Sequence, residues 1–387
     1  MSLFATRQNY TYNKKMHSLN RYIQKQVLSD LGKKMVFVAG PRQVGKTTFA
    51  KALPGGRSGY LNWDVPGDRE RILKRRYPLS PLWIFDEIHK YRSWRNYLKG
   101  LYDSNEHKNK ILVTGSAKLD YYRFGGDSLQ GRYHFIRMHP LSVAELGINT
   151  QKDFQQLLLL GGFPEPFLSG SAAAAKRWST QYRTRLIHEE ISTLESVSDL
   201  GNMELLMLRL PDCVGSPLSI NSLREDIQVG FKAISNWIRI FERIYAVFRL
   251  PPFGAPRIRA VKKEQKHYHF DWTIVRNDGA RFENLVACHL LKWAQFREDV
   301  YGDEVEIRYF RDTDGREVDF VVLEDRRPVR IIECKLSADA PSPHLKYFKE
   351  RFAGCDAWQL SATGTDDYVT QSGIRVCNAL VFLKTLV

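Results

Sequence analysis

The chain has 387 residues, of which 43% are hydrophobic and 26% charged, and this composition excludes a mainly disordered or fibrous protein. At about 100 to 200 residues per domain, the length predicts two or three domains. Fifty-eight lysines and arginines against 43 aspartates and glutamates leave a net charge of +15. Such an excess favours a polyanionic partner, either nucleic acid or an anionic membrane surface.

Membrane insertion and disulfide bonding both find little support in the sequence. No apolar run approaches the roughly 18 residues that a transmembrane helix needs. The first 20 residues are polar and lack the apolar core of a signal peptide. The five cysteines are scattered without a C-x-x-C pair, which argues against a disulfide framework and against a zinc site. We therefore expect a cytoplasmic protein.

A predicted strand, a glycine-rich loop and a predicted helix follow one another near the N-terminus. The strand is Met35–Ala39, and a helical pattern begins at Phe49. The loop between them has the pattern G-x-x-x-x-G-K-[ST], whose backbone N–H groups bind phosphate at the start of a helix. We predict that ATP binds here, with Lys46 on the β- and γ-phosphates and Thr47 on Mg²⁺. The predicted nucleotide-binding residues of the loop are Gly40, Pro41, Arg42, Gln43, Val44, Gly45, Lys46, Thr47 and Thr48.

A second nucleotide-site element follows about 40 residues after Lys46. The run Leu82–Glu87 reads as a buried strand that ends in two adjacent carboxylates. In P-loop enzymes an aspartate at this place holds Mg²⁺, usually through water, and the next glutamate polarises the attacking water. We assign these roles to Asp86 and Glu87. The presence of Glu87 favours hydrolysis over simple nucleotide binding.

Two further candidates belong to the same predicted domain. The strand 111–116 ends in small polar residues, so either Thr114 or Ser116 senses the γ-phosphate, or Ser116 is an ordinary helix N-cap. Arg132 precedes the predicted last strand, Tyr133–Met138. It is a candidate arginine finger that acts on the nucleotide of another subunit, although surface arginines are usually only solvated.

Several short motifs occur together in one known group of proteins. They are Tyr60-Leu61-Asn62-Trp63-Asp64, Asp86-Glu87-Ile88-His89, Gly115-Ser116, Gly131-Arg132-Tyr133, Pro140-Leu141-Ser142-x-x-Glu145-Leu146 and Gly161-Gly162-Phe163-Pro164-Glu165. With them the chain resembles the prokaryotic AAA-type ATPases whose C-terminal half is a restriction-endonuclease-like domain of undefined role. The resemblance spans roughly Leu19 to Phe352. It implies an ATPase joined to a nuclease fold of the PD-(D/E)xK type.

The middle of the chain is predicted to be helical. Residues 151–215 are rich in helical patterns, and Ser219–Ile227, a turn at Gln228–Gly230 and Phe231–Ile244 follow the helix-turn-helix pattern. The second of these helices either faces DNA or only packs against the protein, as winged helices in ATPases often do. Its polar residues that would contact DNA are Lys232, Asn236, Arg239 and Arg243.

A basic connector comes next, after prolines and a glycine that mark a domain boundary or an exposed loop. Its positive residues are Arg257, Arg259, Lys262, Lys263 and Lys266, which surround the single acid Glu264. Such a charge run is either a solvated face or a phosphate-contacting stripe. Beside a candidate nuclease, we favour phosphate contact.

The C-terminal part carries a second set of chemically active residues. A predicted helix with Glu283 in its first turns precedes three predicted strands, 307–311, 317–322 and 329–335. The last two strands place Asp319, Glu333 and Lys335 in the pattern D-x13-E-x-K. This residue set can bind one Mg²⁺, or Mn²⁺, through Asp319, Glu333 and the carbonyl of Cys334, while Lys335 orients the attacking water.

Two points about this second site stay open. Glu283 either supports a second metal ion or positions Lys335. Alternation of charged and apolar residues in half-buried strands would also produce Asp319 and Glu333 without any metal.

Together these patterns predict an α/β protein with an AAA-type P-loop ATPase core in residues 1–150. A helical lid and winged-helix-like segment is expected in 151–252, and an α/β restriction-endonuclease-like domain in 253–387. We expect a homo-oligomer that processes nucleic acid, DNA in particular, with ATP and Mg²⁺ as cofactors and no other small-molecule substrate. The alternative is an ATP-dependent switch whose nuclease-like fold binds DNA or a protein without cleaving. A membrane-associated ATPase has only the net charge in its favour.

Overall fold

The chain folds into two units in the computed structural model, which describes residues 19–105, 108–116, 119, 129–191, 199–254 and 265–387. The first unit comprises the described residues up to Pro140, with Phe163–Leu168 and Arg243–Tyr245. The second unit comprises the other described residues. The basic residues 257, 259, 262 and 263 of the predicted connector, and Glu264, lie outside the described residues.

The first unit contains a parallel five-stranded sheet in the order β2-β3-β4-β1-β5. Its strands are Met35–Ala39 (β1), Tyr60–Asn62 (β2), Leu82–Asp86 (β3), Lys110–Thr114 (β4) and Tyr133–Arg137 (β5). Its helices are Gln24–Asp30 (α1), Lys46–Ala52 (α2), Pro66–Leu73 (α3) and Trp94–Ser104 (α4). Strand β4, which ends in Thr114, lies between the strands that lead to the P-loop and to Asp86, because it pairs with both β1 and β3.

Continuous apolar sequence explains the central strands of this sheet. All five residues of β1 are buried, as parallel strands covered on both faces require. The carboxyl ends of parallel strands meet at one edge of a sheet, and ligands bind outside that edge in open α/β folds. The P-loop follows β1 and Asp86 ends β3, so both predicted nucleotide elements lie at that edge.

Short helices make up most of the region from residue 141 to residue 243. Their bounds are Val143–Leu146 (α5), Gln151–Leu160 (α6), Pro164–Ser169 (α7), Ala172–Arg185 (α8), Leu200–Arg209 (α9), Ile220–Ile227 (α10) and Phe231–Arg243 (α11). After α8 the chain continues as a π-helical segment, Leu186–Ile191. His188 of this segment is half exposed, and its Nε2 lies 2.6 Å from Glu204 Oε1.

The predicted pair of helices around Gly230 is confirmed. Ser219 caps α10, since its hydroxyl accepts a hydrogen bond from the N–H of Ser222. Gln228 then adopts a left-handed conformation (φ 60°) that ends the helix, and α11 begins at Phe231. An antiparallel pair of strands, Val247–Leu250 (β6) and Lys266–His269 (β7), follows in the chain.

The C-terminal part of the second unit is a mixed six-stranded sheet in the order β12-β13-β11-β10-β9-β8. The elements are Asp278–Tyr301 (α12), Val305–Arg311 (β8), Glu317–Glu324 (β9), Arg327–Lys335 (β10), Pro343–Arg351 (α13), Asp356–Ser361 (β11), Asp367–Val369 (β12), Ile374–Asn378 (β13) and Ala379–Leu383 (α14). Strands β8, β9 and β10 are antiparallel neighbours, whereas β10 and β11 are parallel and are connected through α13.

The part of the chain that the structure describes contains no helix with the length and apolarity needed to cross a membrane. All five cysteines are free thiols.

Candidate functional site

The P-loop has the backbone conformation that its glycines permit. Gly40 has φ 148°, and a Cβ at this position would lie 2.2 Å from the carbonyl oxygen of Met138. Gly45 is left-handed (φ 98°) and leads directly into α2. The ammonium group of Lys46 lies inside the loop, 2.9 Å from the carbonyl oxygen of Gly40 and 2.7 Å from that of Pro41. Any larger residue at position 40 would therefore displace the loop.

Arg21 supports this loop from a place that the sequence patterns did not indicate. Its guanidinium group is buried and donates to the carbonyl oxygen of Val44, at 2.7 Å, and to that of His139, at 2.5 Å. It thereby connects the middle of the P-loop to the segment after β5. Because a buried guanidinium must satisfy its donors, Arg21 constrains the position of the loop backbone.

Asp86 is the point where the nucleotide elements meet. The hydroxyl of Thr47 donates to Asp86 Oδ2 at 2.8 Å, and that of Thr114 donates to Oδ1 at 2.6 Å. Tyr60, at the start of β2, also donates to Oδ2, at 2.6 Å. Burial, and next the charge of Asp86, raise the pKa of Tyr60 well above its ordinary value, so its hydroxyl remains a donor.

Glu87 follows Asp86 in a left-handed conformation (φ 59°), which turns the chain away from the strand direction. Its backbone N–H donates to the carbonyl oxygen of Thr114 at 2.9 Å. Its carboxylate lies 3.4 Å from Lys90 Nζ and 3.6 Å from His89 Nε2. Non-glycine residues rarely adopt this conformation.

The two candidates for sensing the γ-phosphate differ in position. Thr114 is fully buried, and its hydroxyl donates a hydrogen bond to Asp86. Ser116 is also buried, and its carbonyl oxygen accepts a hydrogen bond from the N–H of Leu119. Residues 117, 118 and 120–128 lie outside the described part of the chain, and with them the helix that Ser116 was expected to cap.

Arg132 does not lie at the nucleotide edge of its own sheet. Its carbonyl oxygen accepts from the N–H of Met35, at the amino end of β1, whereas the P-loop follows the carboxyl end of that strand. Its guanidinium makes two hydrogen bonds to Asp103, of 2.8 and 3.1 Å. A role for Arg132 in ATP hydrolysis therefore requires a second subunit.

These residues fit ATP and Mg²⁺. A threonine hydroxyl beside an aspartate carboxylate is a set of hard oxygen ligands of the kind that Mg²⁺ prefers. Lys46 carries a positive charge into a loop whose backbone approaches closely because Gly40 has no side chain.

The second predicted site lies where β9 and β10 run side by side. Phe320 is paired with Ile332, so the next residue of each antiparallel strand places Asp319 beside Glu333. Asp319 Oδ2 accepts a hydrogen bond of 2.9 Å from the N–H of Cys334. The predicted pair of carboxylates on adjacent strands is thus present in the structure. With Glu283 and Glu317 these two residues form a group that we call the carboxylate cluster.

Lys266 occupies the middle of the carboxylate cluster. Its side chain is completely buried, with Nζ 2.6 Å from Glu317 Oε1, 3.1 Å from Glu283 Oε1 and 3.3 Å from Asp319 Oδ1. Burial alone would lower the pKa of Lys266, but the three carboxylates raise it above its ordinary value. The expectation of a phosphate-contacting residue is wrong for Lys266, because strand pairing with β6 directs it into the protein instead.

Glu283 and Glu333 differ in the hydrogen-bond partners of their carboxylate oxygens. Glu283 Oε1 also accepts from the hydroxyl of Tyr268, at 2.6 Å. Glu333 Oε1 lies 2.7 Å from Lys335 Nζ, while its buried Oε2 has no hydrogen-bond partner among the described residues. Burial raises the pKa of Glu283 and of Glu333, and the charge of Asp319 raises both further. A cation beside Asp319 and Glu333 would relieve this repulsion.

Within the described ranges, no three acidic, histidine or cysteine side chains converge closely enough to coordinate a metal ion on their own. The predicted ligands Glu283, Asp319 and Glu333 are therefore not brought together as a three-carboxylate site. The physical reason is that ammonium groups lie among them, Lys266 at Glu283 and Asp319, and Lys335 at Glu333. The unpartnered Glu333 oxygen beside Asp319 still fits one hard divalent cation completed by water or backbone oxygen.

Several residues of these two sites were not predicted from the sequence patterns. Tyr60 stands within a quoted motif, but nothing in the motif indicates that its hydroxyl reaches Asp86. Glu317 and Tyr268 are in strands, where only the pairing and the alternation of sides could have placed them on the cluster. The strand order that decides this is a long-range property of the fold.

Helix α11 presents one polar face. Its apolar residues Ile234, Trp237, Ile238 and Phe241 are buried, as the spacing predicts. The predicted DNA-contacting residues Lys232, Asn236 and Arg239 are exposed together with Arg243.

Comparison with protein families identifies the domain around the P-loop. Residues 32–147 match a family described as an AAA domain. They include the parallel sheet, the loop that holds Lys46, and Asp86 at the end of β3. Residues 32–147 form an AAA-type P-loop ATPase domain. The rest of the chain matches two domains of unknown function, over residues 151–277 and 278–381.

The AAA domain belongs to a chain with uncharacterised relatives. The protein is 24% identical over 239 residues to the uncharacterized protein Mb2031c of Mycobacterium bovis and, equally, to the uncharacterized protein Rv2008c of Mycobacterium tuberculosis. The match covers 60% of this chain and 53% of each relative. The chain thus spans about half the length of the curated relatives it matches.

Three solved structures are distantly similar to this chain. The Walker-type ATPase PABY2304 of Pyrococcus abyssi is 14% identical, with a TM-score of 0.44 over 68% of this chain and 95% of that chain. The Aeropyrum pernix ORC1 protein in complex with DNA is 13% identical, with a TM-score of 0.31 over 69% and 93%. A single-substitution variant of Thermotoga maritima RuvB is 16% identical, with a TM-score of 0.27 over 59% and 89%.

Proposed function

We propose that the protein binds and hydrolyses ATP in its AAA domain and processes nucleic acid, DNA in particular, with its second unit. The observation that carries the ATPase half is Asp86. This buried carboxylate accepts hydrogen bonds from Thr47 of the P-loop, Thr114 of β4 and Tyr60 of β2. Three separate elements thereby fix the position of one magnesium ligand.

The residues of the AAA domain divide the work of hydrolysis between them. Bound Mg²⁺ would neutralise the negative charge that develops on the phosphate oxygens in the transition state. Thr47 and Asp86 would hold the ion, and Lys46 would exchange its two carbonyl partners for phosphate oxygens. Glu87 would polarise the attacking water, and its carboxylate is in contact with Lys90 and His89 in the structure. Thr114 connects the end of β4 to Asp86. A displacement of this strand end would therefore move the Asp86 carboxylate, the proposed metal ligand.

For the second unit we propose metal-dependent cleavage of phosphodiester bonds at Asp319, Glu333 and Lys335. A divalent cation bound there would supply an activated water and a positive charge against the scissile phosphate. Asp319 and Glu333 would be its oxygen ligands. Lys335, on the same side of β10 as Glu333, would orient the water or stabilise the developing charge. The order of α12, three antiparallel strands, α13 and a parallel strand supports the proposal of a restriction-endonuclease-like domain.

A DNA partner has two lines of support in this chain. The net charge is +15, and the polar face of α11 presents Lys232, Asn236 and Arg239 to solvent. Helices α10 and α11 followed by the β6–β7 pair have the element order of a winged helix. A homo-oligomer would give Arg132 access to the nucleotide of a neighbouring subunit.

One observation favours a second function, an ATP-dependent switch that binds nucleic acid or protein without cutting. The ammonium groups of Lys266 and Lys335 already neutralise part of the carboxylate cluster. A cluster held together in this way is stable without a metal ion and serves as a structural ion network.

Assays of ATP and DNA turnover distinguish the two functions. Purified protein is incubated with Mg²⁺ or Mn²⁺ and a panel of duplex, branched and single-stranded DNA and RNA, with Lys46→Ala and Asp319→Asn variants beside the wild type. The proposal expects ATP hydrolysis that Lys46→Ala removes and cleavage that Asp319→Asn removes. ATP hydrolysis stimulated by nucleic acid without cleavage of any substrate would instead support the switch. Absence of ATP hydrolysis throughout would overturn both.

A further inference from the structure

Lys266 is the buried cation of the carboxylate cluster. No part of its side chain is exposed, and its ammonium group lies within 3.3 Å of Glu317, Glu283 and Asp319. The ring of Tyr309 covers it from a further side, 5.7 Å from the ammonium nitrogen. An ammonium group without solvent must be balanced by nearby negative charge, so these carboxylates hold Lys266 in place.

The charges of the cluster do not cancel. Four carboxylates, of Glu283, Glu317, Asp319 and Glu333, face two ammonium groups, of Lys266 and Lys335. Arg311 approaches Glu317 only at its outer side, at 3.5 Å, and is half exposed to solvent, where its charge is screened. When all four carboxylates are ionised, the interior of the cluster has two more negative than positive charges, which equals the charge of one divalent cation.

The uncompensated charge is located on one side of the cluster. Glu283 and Glu317 each have Lys266 as a close partner, and Glu283 Oε1 also accepts from Tyr268. Glu333 Oε2, by contrast, is buried without a hydrogen-bond partner in the described part of the chain. The oxygen open to a cation thus belongs to Glu333, whose backbone lies opposite Asp319.

We propose that Lys266 takes the place of a second metal ion, so that the cluster binds a single divalent cation at Asp319 and Glu333. The inference rests on the metal-dependent function proposed above and specifies its stoichiometry. Glu283 is then a positioning residue that acts through Lys266. It neither binds the metal ion nor orients Lys335.

Counting bound Mn²⁺ tests this directly, without any measurement of cleavage. Full-length protein free of nucleotide is titrated with Mn²⁺, and the free ion is measured by electron paramagnetic resonance. All variants carry Asp86→Asn, which removes the metal ligand of the AAA domain. We expect one ion per chain, the same number in Glu283→Gln, and binding at least about tenfold weaker in Glu333→Gln, which loses a ligand. Glu225→Gln, at an exposed site on α10, is the matched control.

The variant Lys266→Met extends the test, because it removes the ammonium group and retains much of the length of the side chain. We expect it to bind two ions per chain, with Glu283 as a ligand of the second. Should the variant fail to fold in thermal unfolding, the stoichiometry with Lys266 intact and the Glu283→Gln result decide the matter.

The outcomes separate the two proposals. Two ions bound with Lys266 intact, or loss of the single ion in Glu283→Gln, would overturn the role of Lys266 and leave metal-dependent chemistry standing. A folded Lys266→Met protein that still binds one ion would also overturn it. No ion bound at the cluster at all would overturn the metal-dependent function itself.

Discussion

The hydroxyl of Thr47 donates a hydrogen bond of 2.8 Å to Asp86 Oδ2 and joins the P-loop to the end of β3. Both residues are magnesium ligands in the proposed mechanism, and they lie 39 positions apart in the sequence. The bond means that the two ligands are already neighbours before ATP arrives. Binding energy is then not needed to bring these parts of the site together.

Replacement of Lys46 by alanine should reduce ATP hydrolysis at least about 100-fold, because it removes the positive charge directed at the transferred phosphate. Lys25→Ala, at an exposed position of α1, serves as the control and should leave turnover unchanged. Release of phosphate under saturating Mg·ATP measures both. Equal activity of the two variants would contradict the assignment of the P-loop lysine.

Tyr60→Phe should lower ATP turnover about tenfold and raise the Mg²⁺ concentration needed for half-maximal rate, since Asp86 loses a hydrogen bond of a charged group. The phenyl ring is retained, and with it the contact with Lys51, whose ammonium nitrogen lies 3.8 Å from the ring centre. Steady-state kinetics at varied Mg²⁺ provide the measurement. An unchanged Mg²⁺ dependence would show that the hydroxyl of Tyr60 does not act on the metal ligand.

Asp319→Asn and Lys335→Ala should each reduce cleavage of nucleic acid at least about 100-fold, because the first weakens the metal site and the second removes a charge from the transition state. ATP hydrolysis in the same preparations should stay within about twofold of the wild type, since neither residue belongs to the AAA domain. Asp367→Asn, at the surface in β12, is a control for loss of an aspartate. Cleavage that survives both substitutions would place the reaction elsewhere.

The second unit should lose stability in acid, in part through His289. Burial lowers the pKa of His289 to about 4. In the folded protein its Nδ1 donates to the carbonyl oxygen of Leu285, and its Nε2 accepts from the N–H of Val143. In the unfolded chain the same group titrates near pH 6.5, so the unfolded state binds more protons between about pH 4 and 6.5. The free energy of unfolding should therefore fall with decreasing pH across this range.

His289→Gln isolates this contribution, because glutamine can accept from Val143 but does not titrate. The slope of the free energy of unfolding against pH should decrease by about 1.4 kcal/mol per pH unit between pH 4.5 and 6. Denaturant unfolding followed by fluorescence at several pH values gives the slope. Other buried histidines, such as His267, keep the remaining dependence. An identical slope in the variant would mean that His289 takes up its proton in the folded protein.

The sequence predicted those strands and helices whose positions are determined by a local pattern of apolar and polar residues. Strand β1 has the predicted bounds, and β3 and β4 agree within two residues, because continuous apolar runs bounded by polar residues leave few alternatives. The helix-turn-helix region was predicted from apolar residues at helical spacing on either side of the turn at Gly230. The carboxylates Asp319 and Glu333 stand side by side because β9 and β10 form a hairpin, which is also a local feature.

What sequence could not predict depends on contacts between distant segments. Lys266 belongs by composition to a basic connector, yet its pairing with β6 and its place in the cluster depend on residues up to 53 positions away. Arg21 reaches a carbonyl 118 positions further along the chain. No periodicity in the sequence encodes such contacts, and charge alone predicted the opposite environment for Lys266.

Asn284 is adjacent to Glu283 on α12, and its side chain pairs with the backbone of β7. Its Oδ1 accepts from the N–H of His269 at 2.9 Å, and its Nδ2 donates to the carbonyl oxygen of the same residue at 2.7 Å. The side-chain amide thus pairs with both the N–H and the carbonyl oxygen of His269, as a neighbouring strand would do. It thereby fixes the position of β7 along the helix. Because Lys266 begins that strand, a shift of one residue would carry its ammonium group out of the cluster. A neutral side chain on α12 therefore sets where the positive charge among the carboxylates lies.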